Sequence, residues 1–311
     1  MTTSSPAPSA QQLPDPTASY NYFQTLRPVR PRWWRSLLGL LVIGGGYVGL
    51  SVGLSLLASF ADRAAGRTDG LSSGSFTLTP MLLLSVNLSA AALIPLSLLV
   101  ERLLYRRSGR LHSVEGPPRG PWLRRVALII VPLFAGYAVL AGLAVVRPGS
   151  ELAPEWTAWL AVVLLTTPLQ AAGEEYGFRG AVGRIVGSWF APGWLAVTAG
   201  TVASAAVFAA AHGSLDPWLL AYYAVFGVMM SVVTWQTGGL EAAVVVHVSN
   251  NVVLGVVGAL TSDMSTAFDR SVGTGGPFML VPMVAIVGLG VLIIAVARRR
   301  RVTRLAALRT G

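Results

Sequence analysis

Residues 156–187 read WTAWLAVVLLTTPLQAAGEEYGFRGAVGRIVG. The stretch begins as an uncharged apolar run. It then delivers two adjacent carboxylates, Glu174 and Glu175, and a guanidinium, Arg179. Everything about the fold turns on whether the charges end a membrane span at its rim or are carried inside the protein on one helix. The rest of the chain decides that the setting is a membrane. Of the 311 residues, 53% are hydrophobic and 12% are charged, with a mean hydropathy of +0.63. Soluble domains carry about 25% charged residues, so half that share points to a lipid-embedded protein. Length alone allows one or two domains, but the apolar runs leave no room for a sizeable soluble one.

Eight apolar runs are each near the ~20 residues that cross a bilayer as a helix. They fall at approximately 36–60, 80–104, 123–146, 157–178, 194–212, 217–235, 240–260 and 277–297. The expected fold is therefore all-α: a polytopic membrane helix bundle with about eight transmembrane helices. Gly and Ala are abundant in the runs, which suits close helix packing in lipid. No internal or inverted repeat is visible. Residues 1–28, rich in Ser, Thr, Pro and Gln, read as a disordered tail with no cleavable signal peptide. Residues 29–147 hold three spans and a basic loop, 148–262 hold spans four to seven, and 263–311 hold the last span and a basic tail.

All 23 basic residues are Arg, a bias expected of a GC-rich bacterial gene. The net charge of +10 does not indicate nucleic acid, because the arginines flank the apolar runs as anchors against the bilayer. Arg27, Arg30, Arg32 and Arg35 precede the first run, with Trp33 and Trp34 beside them in RPVRPRWWR (27–35). The loop after the second run holds Arg102, Arg106, Arg107, Arg110, Arg119, Arg124 and Arg125, and the C-terminal tail holds Arg298 to Arg301, Arg304 and Arg309. Intervening loops contain only Arg63, Arg67, Arg147 and Arg270. By the positive-inside rule this alternation predicts a multi-pass plasma-membrane protein with both termini cytoplasmic. The chain has no cysteine, which excludes disulfides, thiolate metal sites and a cysteine nucleophile.

Ionisable residues are costly at membrane depth, about 2.5–3.5 kcal/mol each on insertion scales, and mark functional sites. Of the three histidines, His112 falls in the basic loop and reads as solvated, whereas His212 (VFAAAHG) and His247 (AAVVVHVSNN) fall in or beside apolar runs. Each residue has a plain structural explanation when taken singly: a helix-end His, an i,i+4 ion pair between Glu175 and Arg179, an Asn that bridges helices. Their concentration in spans four, five and seven favours a site. His247 and Asn251 are four apart and share a helix face, leaving Asn250 on another face as a packing residue. Phe208 and His212 are also four apart. With Arg179 engaged by Glu175, Glu174 points about 100° away into the bundle, where a carboxylate suits general-base chemistry.

In chain order, EEYGFR, FAAAH and HVSNN fit Glu-Glu-x-x-x-Arg, Phe-x-x-x-His and His-x-x-x-Asn. The set resembles the three motifs of the CPBP intramembrane protease family, which includes CAAX proteases, bacteriocin-processing enzymes and type II CAAX prenyl endopeptidases. The likeness covers roughly residues 155–260. It implies hydrolysis of a peptide or membrane-protein substrate inside the bilayer. Glu174 would activate the water with His212, His247 and Asn251 would donate to the oxyanion, and Glu175, Arg179 and Phe208 would support them. The expected cofactor is none. The alternative is zinc held by Glu174, His212 and His247, a three-ligand set with an open position. Two other functions fit the residues: an idle relative that binds a peptide or confers immunity, and, with less support, a proton-coupled transporter.

A geometric condition follows. If span four ended at Glu174 and span five crossed fully, His212 would lie at the opposite face while His247 lay only about 10 Å inside the seventh span, at 1.5 Å per residue. The site assembles if the fourth helix continues past Arg179 to about Val186, with WFAPGW (189–194) at the interface and a short fifth span.

Overall fold

A computed structural model describes residues 19–29, 32–67, 78–106, 111–145, 155–261 and 269–307, together with Leu152 and Met264. The first eighteen residues of the expected tail, Arg30, Arg107, Arg110, Arg147 and Arg309 lie outside them.

The bundle is built from α1 (Trp33–Ala64), α2 (Pro80–Ala91) running into α3 (Leu93–Leu104), α4 (Gly120–Val145), α5 (Trp156–Glu174), α6 (Arg184–Gly187), α7 (Gly193–Ala211), α8 (Pro217–Thr237), α9 (Glu241–Thr261) and α10 (Leu280–Arg299). Local chemistry sets several of the boundaries. Pro80 and Pro217 occupy the first turns of α2 and α8, where a missing N–H costs nothing. Thr79 and Asp216 cap those turns by accepting from the backbone N–H groups of Leu82, and of Trp218 and Leu219. α8 stops at Gly238, whose φ of 66° is the left-handed conformation glycine supplies cheaply.

Seven described helices are long and apolar enough to cross a membrane. The helix that begins at Trp156 is not among them, because its polar residues dilute its hydropathy. It nonetheless runs on as one helical rod. A π-helical stretch, Glu175–Gly183, joins α5 to α6, so the backbone is helical from Trp156 to Gly187. The segments that flank the bundle meet: β1 (Ser19–Asn21), before α1, pairs antiparallel with β2 (Leu305–Ala307), after α10.

Exposure follows solvent type rather than polarity. Leu41, Leu57, Phe60, Leu128, Leu140 and Val284 are exposed on α1, α4 and α10, as a lipid-facing surface requires. The interior holds polar residues that join helices instead. Asn87 on α2 donates to the hydroxyls of Thr166 (2.8 Å) and Thr167 (3.0 Å) on α5, and Ser204 on α7 bonds Ser231 on α8 at 2.9 Å. Packing, not hydrophobic exclusion, holds helices together in lipid. α5 accordingly presents Gly173 to α2, where a methyl would overlap the carbonyl oxygen of Ala90.

Two expectations are corrected here. Residues 19–28, read as part of a disordered tail, form β1 and short 3₁₀ turns tucked beneath the bundle, with Tyr22 and Phe23 fully buried. Phe23 sits where side chains on Gly183 or Gly187 would meet it at 2.7 Å. Gln24 donates to the carbonyls of Phe190 and Ala191, and Arg184 donates to Thr25 at 2.7 Å and to Glu101 at 2.9 Å. A few apolar residues in a polar segment are enough, because they fill a slot the bundle leaves open. His112 is not solvated: it is half-buried and hydrogen-bonds the hydroxyl of Tyr176. Its loop is drawn in by backbone bonds to the α8–α9 turn and by Arg119, which grips Glu241 with two bonds of 2.9 and 2.8 Å.

Candidate active site

The rod from Trp156 to Gly187 meets the geometric condition set above. Its helical backbone passes through Glu174 and Arg179, residues 189–192 break the helix, and α7 is a short span of 19 residues. Glu174 closes α5 and Glu175 opens the π-helical stretch, a distortion that recurs at functional sites. The carboxylates therefore lie inside the bundle. Glu175 and Arg179 are fully buried, His247 is 1% exposed and Glu174 6%.

The two glutamates have different partners. Arg179 Nη1 donates to Glu175 Oε1 at 3.0 Å, Nη2 donates to the Gly227 carbonyl at 3.2 Å, and the guanidinium lies 4.5 Å from the centre of the Phe208 ring. The same Glu175 oxygen is 2.7 Å from His247 Nδ1. This bond fixes the imidazole: Nδ1–H faces Glu175, and Nε2 is left 3.6 Å from Glu174 Oε2. His247 thus bonds Glu175 and faces Glu174 across a gap too wide for a hydrogen bond, and Arg179 balances charge that lipid could not tolerate. Among the described residues, Glu174 Oε2 and Glu175 Oε2 are buried without a hydrogen-bond partner. An unsatisfied buried oxygen is costly, and its persistence calls for a role.

Aromatic rings link His212 to this cluster. The Phe208 ring is 4.5 Å from the His212 imidazole and 5.7 Å from that of His247, while Phe226 stacks on Phe208 at 5.5 Å and meets His247 at 4.8 Å. Tyr223 lies over His212 at 3.9 Å. No hydrogen bond joins His212 to Glu174 among the described residues. His212 Nδ1 is 2.8 Å from the Phe208 carbonyl, so it carries the proton and Nε2 keeps the lone pair. Arg270 donates to the His212 carbonyl at 2.7 Å, which closes this end of α7 with a loop residue.

Asn251 is half-buried and donates to Gln170 Oε1 at 3.1 Å; Gln170 Nε2 donates to Glu174 Oε1 at 2.6 Å. Gln170 is the residue that motif reasoning passes over, although a lone amide one turn before Glu174 in an apolar run is its signal. Asn250, expected only to pack, donates to Asn251 Oδ1 at 3.0 Å. Among the described residues, no group of three His, Asp or Glu side chains is close enough together to hold a metal ion. Both imidazoles engage Nδ1 and leave Nε2 available, as a metal-ligating histidine also does.

A buried carboxylate–imidazole cluster thus lies inside a bundle in which seven described helices are long and apolar enough to cross a membrane. Residues 155–253 match the family model described as type II CAAX prenyl endopeptidase Rce1-like, so this segment is similar to the CAAX protease family. The matched segment runs from the start of α5 into α9, so it contains every residue of the cluster and leaves α1 to α4 and α10 outside. Neither the curated proteins nor the solved structures yield a match to the chain.

Proposed function

We propose that this protein hydrolyses peptide bonds within the membrane by a metal-free mechanism in which Glu174 is the general base. The observation that carries the proposal is the unpartnered Glu174 Oε2, buried 3.6 Å from His247 Nε2 while Gln170 occupies the other oxygen. Glu174 Oε2 takes a proton from a water, and the hydroxide attacks the scissile carbonyl carbon. The carbon–nitrogen bond then breaks as the proton passes to the leaving amine. His212 Nε2, the nitrogen left free by the Phe208 carbonyl, accepts from the same water. His247, as an imidazolium that keeps Nδ1–H on Glu175 and carries a second proton on Nε2, and the second amide hydrogen of Asn251 donate to the tetrahedral oxyanion. Losing one such donor typically costs about 100–1,000-fold in rate. Glu175 and Arg179 fix the imidazole so that it is oriented before substrate arrives.

The substrate in this reading is a peptide or membrane protein, and the face that carries β1 and β2 is cytoplasmic, where the arginines cluster. The test is cleavage of a peptide library by purified protein in detergent, comparing wild type with Glu174→Ala and His212→Ala, each with and without chelator. Cleavage by wild type alone, unchanged by chelator, is expected. Equal cleavage by all three ends the proposal, loss on chelation replaces the mechanism with a zinc-dependent one, and retained peptide binding without turnover identifies an idle binding protein.

A further inference from the structure

The three carboxamides around Glu174 bond in one direction. Asn250 Nδ2 donates to Asn251 Oδ1 at 3.0 Å, Asn251 Nδ2 donates to Gln170 Oε1 at 3.1 Å, and Gln170 Nε2 donates to Glu174 Oε1 at 2.6 Å. The direction has a physical cause at each end. An ionised carboxylate only accepts, so Gln170 must turn its NH₂ toward Glu174. Its oxygen then faces α9 and needs a donor there, which Asn251 supplies. Asn251's own oxygen in turn needs a donor, and Asn250 supplies it. Reversing any one amide sets oxygen against oxygen or NH₂ against NH₂ along the line. Hydrogen bonds in such a chain polarise one another and bind more tightly together than singly.

We infer that Gln170 is the positioning residue of this site, the middle link of an amide relay from Asn250 and Asn251 on α9 that fixes which oxygen of Glu174 acts. The inference rests on the general-base role given to Glu174 above. By committing Oε1, Gln170 holds Oε2 toward His247 and prevents the carboxylate from rotating its two oxygens. Gln170 touches neither the water nor the peptide; it acts through Glu174. It also couples two helices of the site, since the chain passes from α9 to α5. Asn251 therefore acts partly through Gln170 and not solely as a donor to the oxyanion.

The relay is tested with Gln170→Leu, Asn251→Leu and the double variant, using the peptide that wild type cleaves best. Gln170→Leu is expected to lower kcat by about 10- to 100-fold, as when an orienting partner of a reacting group is removed, with KM within about twofold because substrate contacts survive. Gln170→Glu does not restore kcat, since it sets a carboxylate against Glu174. In the double variant the loss falls short of the product of the single losses by about fivefold or more, the mark of residues in one network. A Gln170→Leu enzyme with unchanged kcat, or single losses that multiply within about twofold, overturns the relay while leaving the endopeptidase reading intact. If wild type cleaves nothing, that reading fails and the relay is decided by thermal midpoints of the same variants in detergent. Midpoint shifts smaller in the double variant than the two single shifts combined support it, and additive shifts overturn it.

Discussion

Removing the Arg179 guanidinium should damage the protein more than removing the whole ion pair. Arg179 and Glu175 are both fully buried and their charged atoms are 3.0 Å apart. At an effective dielectric of about 20, two unit charges at that separation attract by about 5 kcal/mol. The desolvation of both groups consumes much of this, so the intact pair adds little net stability. Arg179→Met keeps an unbranched apolar stem but leaves Glu175 charged and buried, with His247 Nδ1 its remaining polar partner. Breaking a buried pair in this way costs about 3–5 kcal/mol, a large share of the 5–15 kcal/mol typical of a whole domain. Glu175→Gln combined with Arg179→Met removes both charges, and the amide oxygen introduced at position 175 still accepts from His247. The double variant should therefore unfold later than Arg179→Met alone. Unfolding in detergent, followed by circular dichroism against temperature and denaturant, measures both. An Arg179→Met protein within about 1 kcal/mol of wild type, a change ordinary for surface sites, would refute the reasoning. So would a double variant less stable than the single one.

Phe23→Ala should lower stability by about 3–5 kcal/mol, the usual range for emptying a fully packed aromatic site; a melting curve unchanged from wild type would mean that the segment before α1 only rests on the bundle. His112 is held below the ordinary imidazole range by its burial beside Tyr176. The unfolded chain then takes up the proton first as pH falls. The stabilising contribution is complete above about pH 6.5 and declines below it toward the folded value. The thermal midpoint of wild type should drop between about pH 7 and 5 more steeply than that of His112→Gln, and parallel slopes would contradict the assignment.

Much of the site is legible in the sequence because its contacts follow helix periodicity. The i,i+4 spacing of Glu175 and Arg179 yields their ion pair, the same spacing sets Phe208 against His212, and the adjacency of Glu174 and Glu175 turns the two carboxylates different ways. Gln170 lies at this spacing too, one turn before Glu174, and was hidden only by the absence of a charge. What periodicity does not carry is contact between segments far apart in sequence. Nothing local says that Phe23 fits beside Gly183 and Gly187, or that His112 meets Tyr176, because each slot exists only once the helices have packed. Composition misleads in the same places. Ser, Thr and Pro around Tyr22 and Phe23 read as disorder, and the arginines around His112 read as solvent. The π-helical backbone at Glu175–Gly183 likewise answers to packing, since Phe178 and Arg179 in that stretch are both buried against other helices.

The proposed chemistry depends on one carboxylate oxygen of Glu174, and single-turnover cleavage by Glu174→Gln measures it most directly. The substitution keeps the size of the side chain and its contact with Gln170 while removing the base. With products identified by mass spectrometry, wild type should cut a defined peptide bond and Glu174→Gln should cut the same bond about 10²–10⁴-fold more slowly, the range general-base catalysis supplies. Cleavage by Glu174→Gln at the wild-type rate would contradict the account.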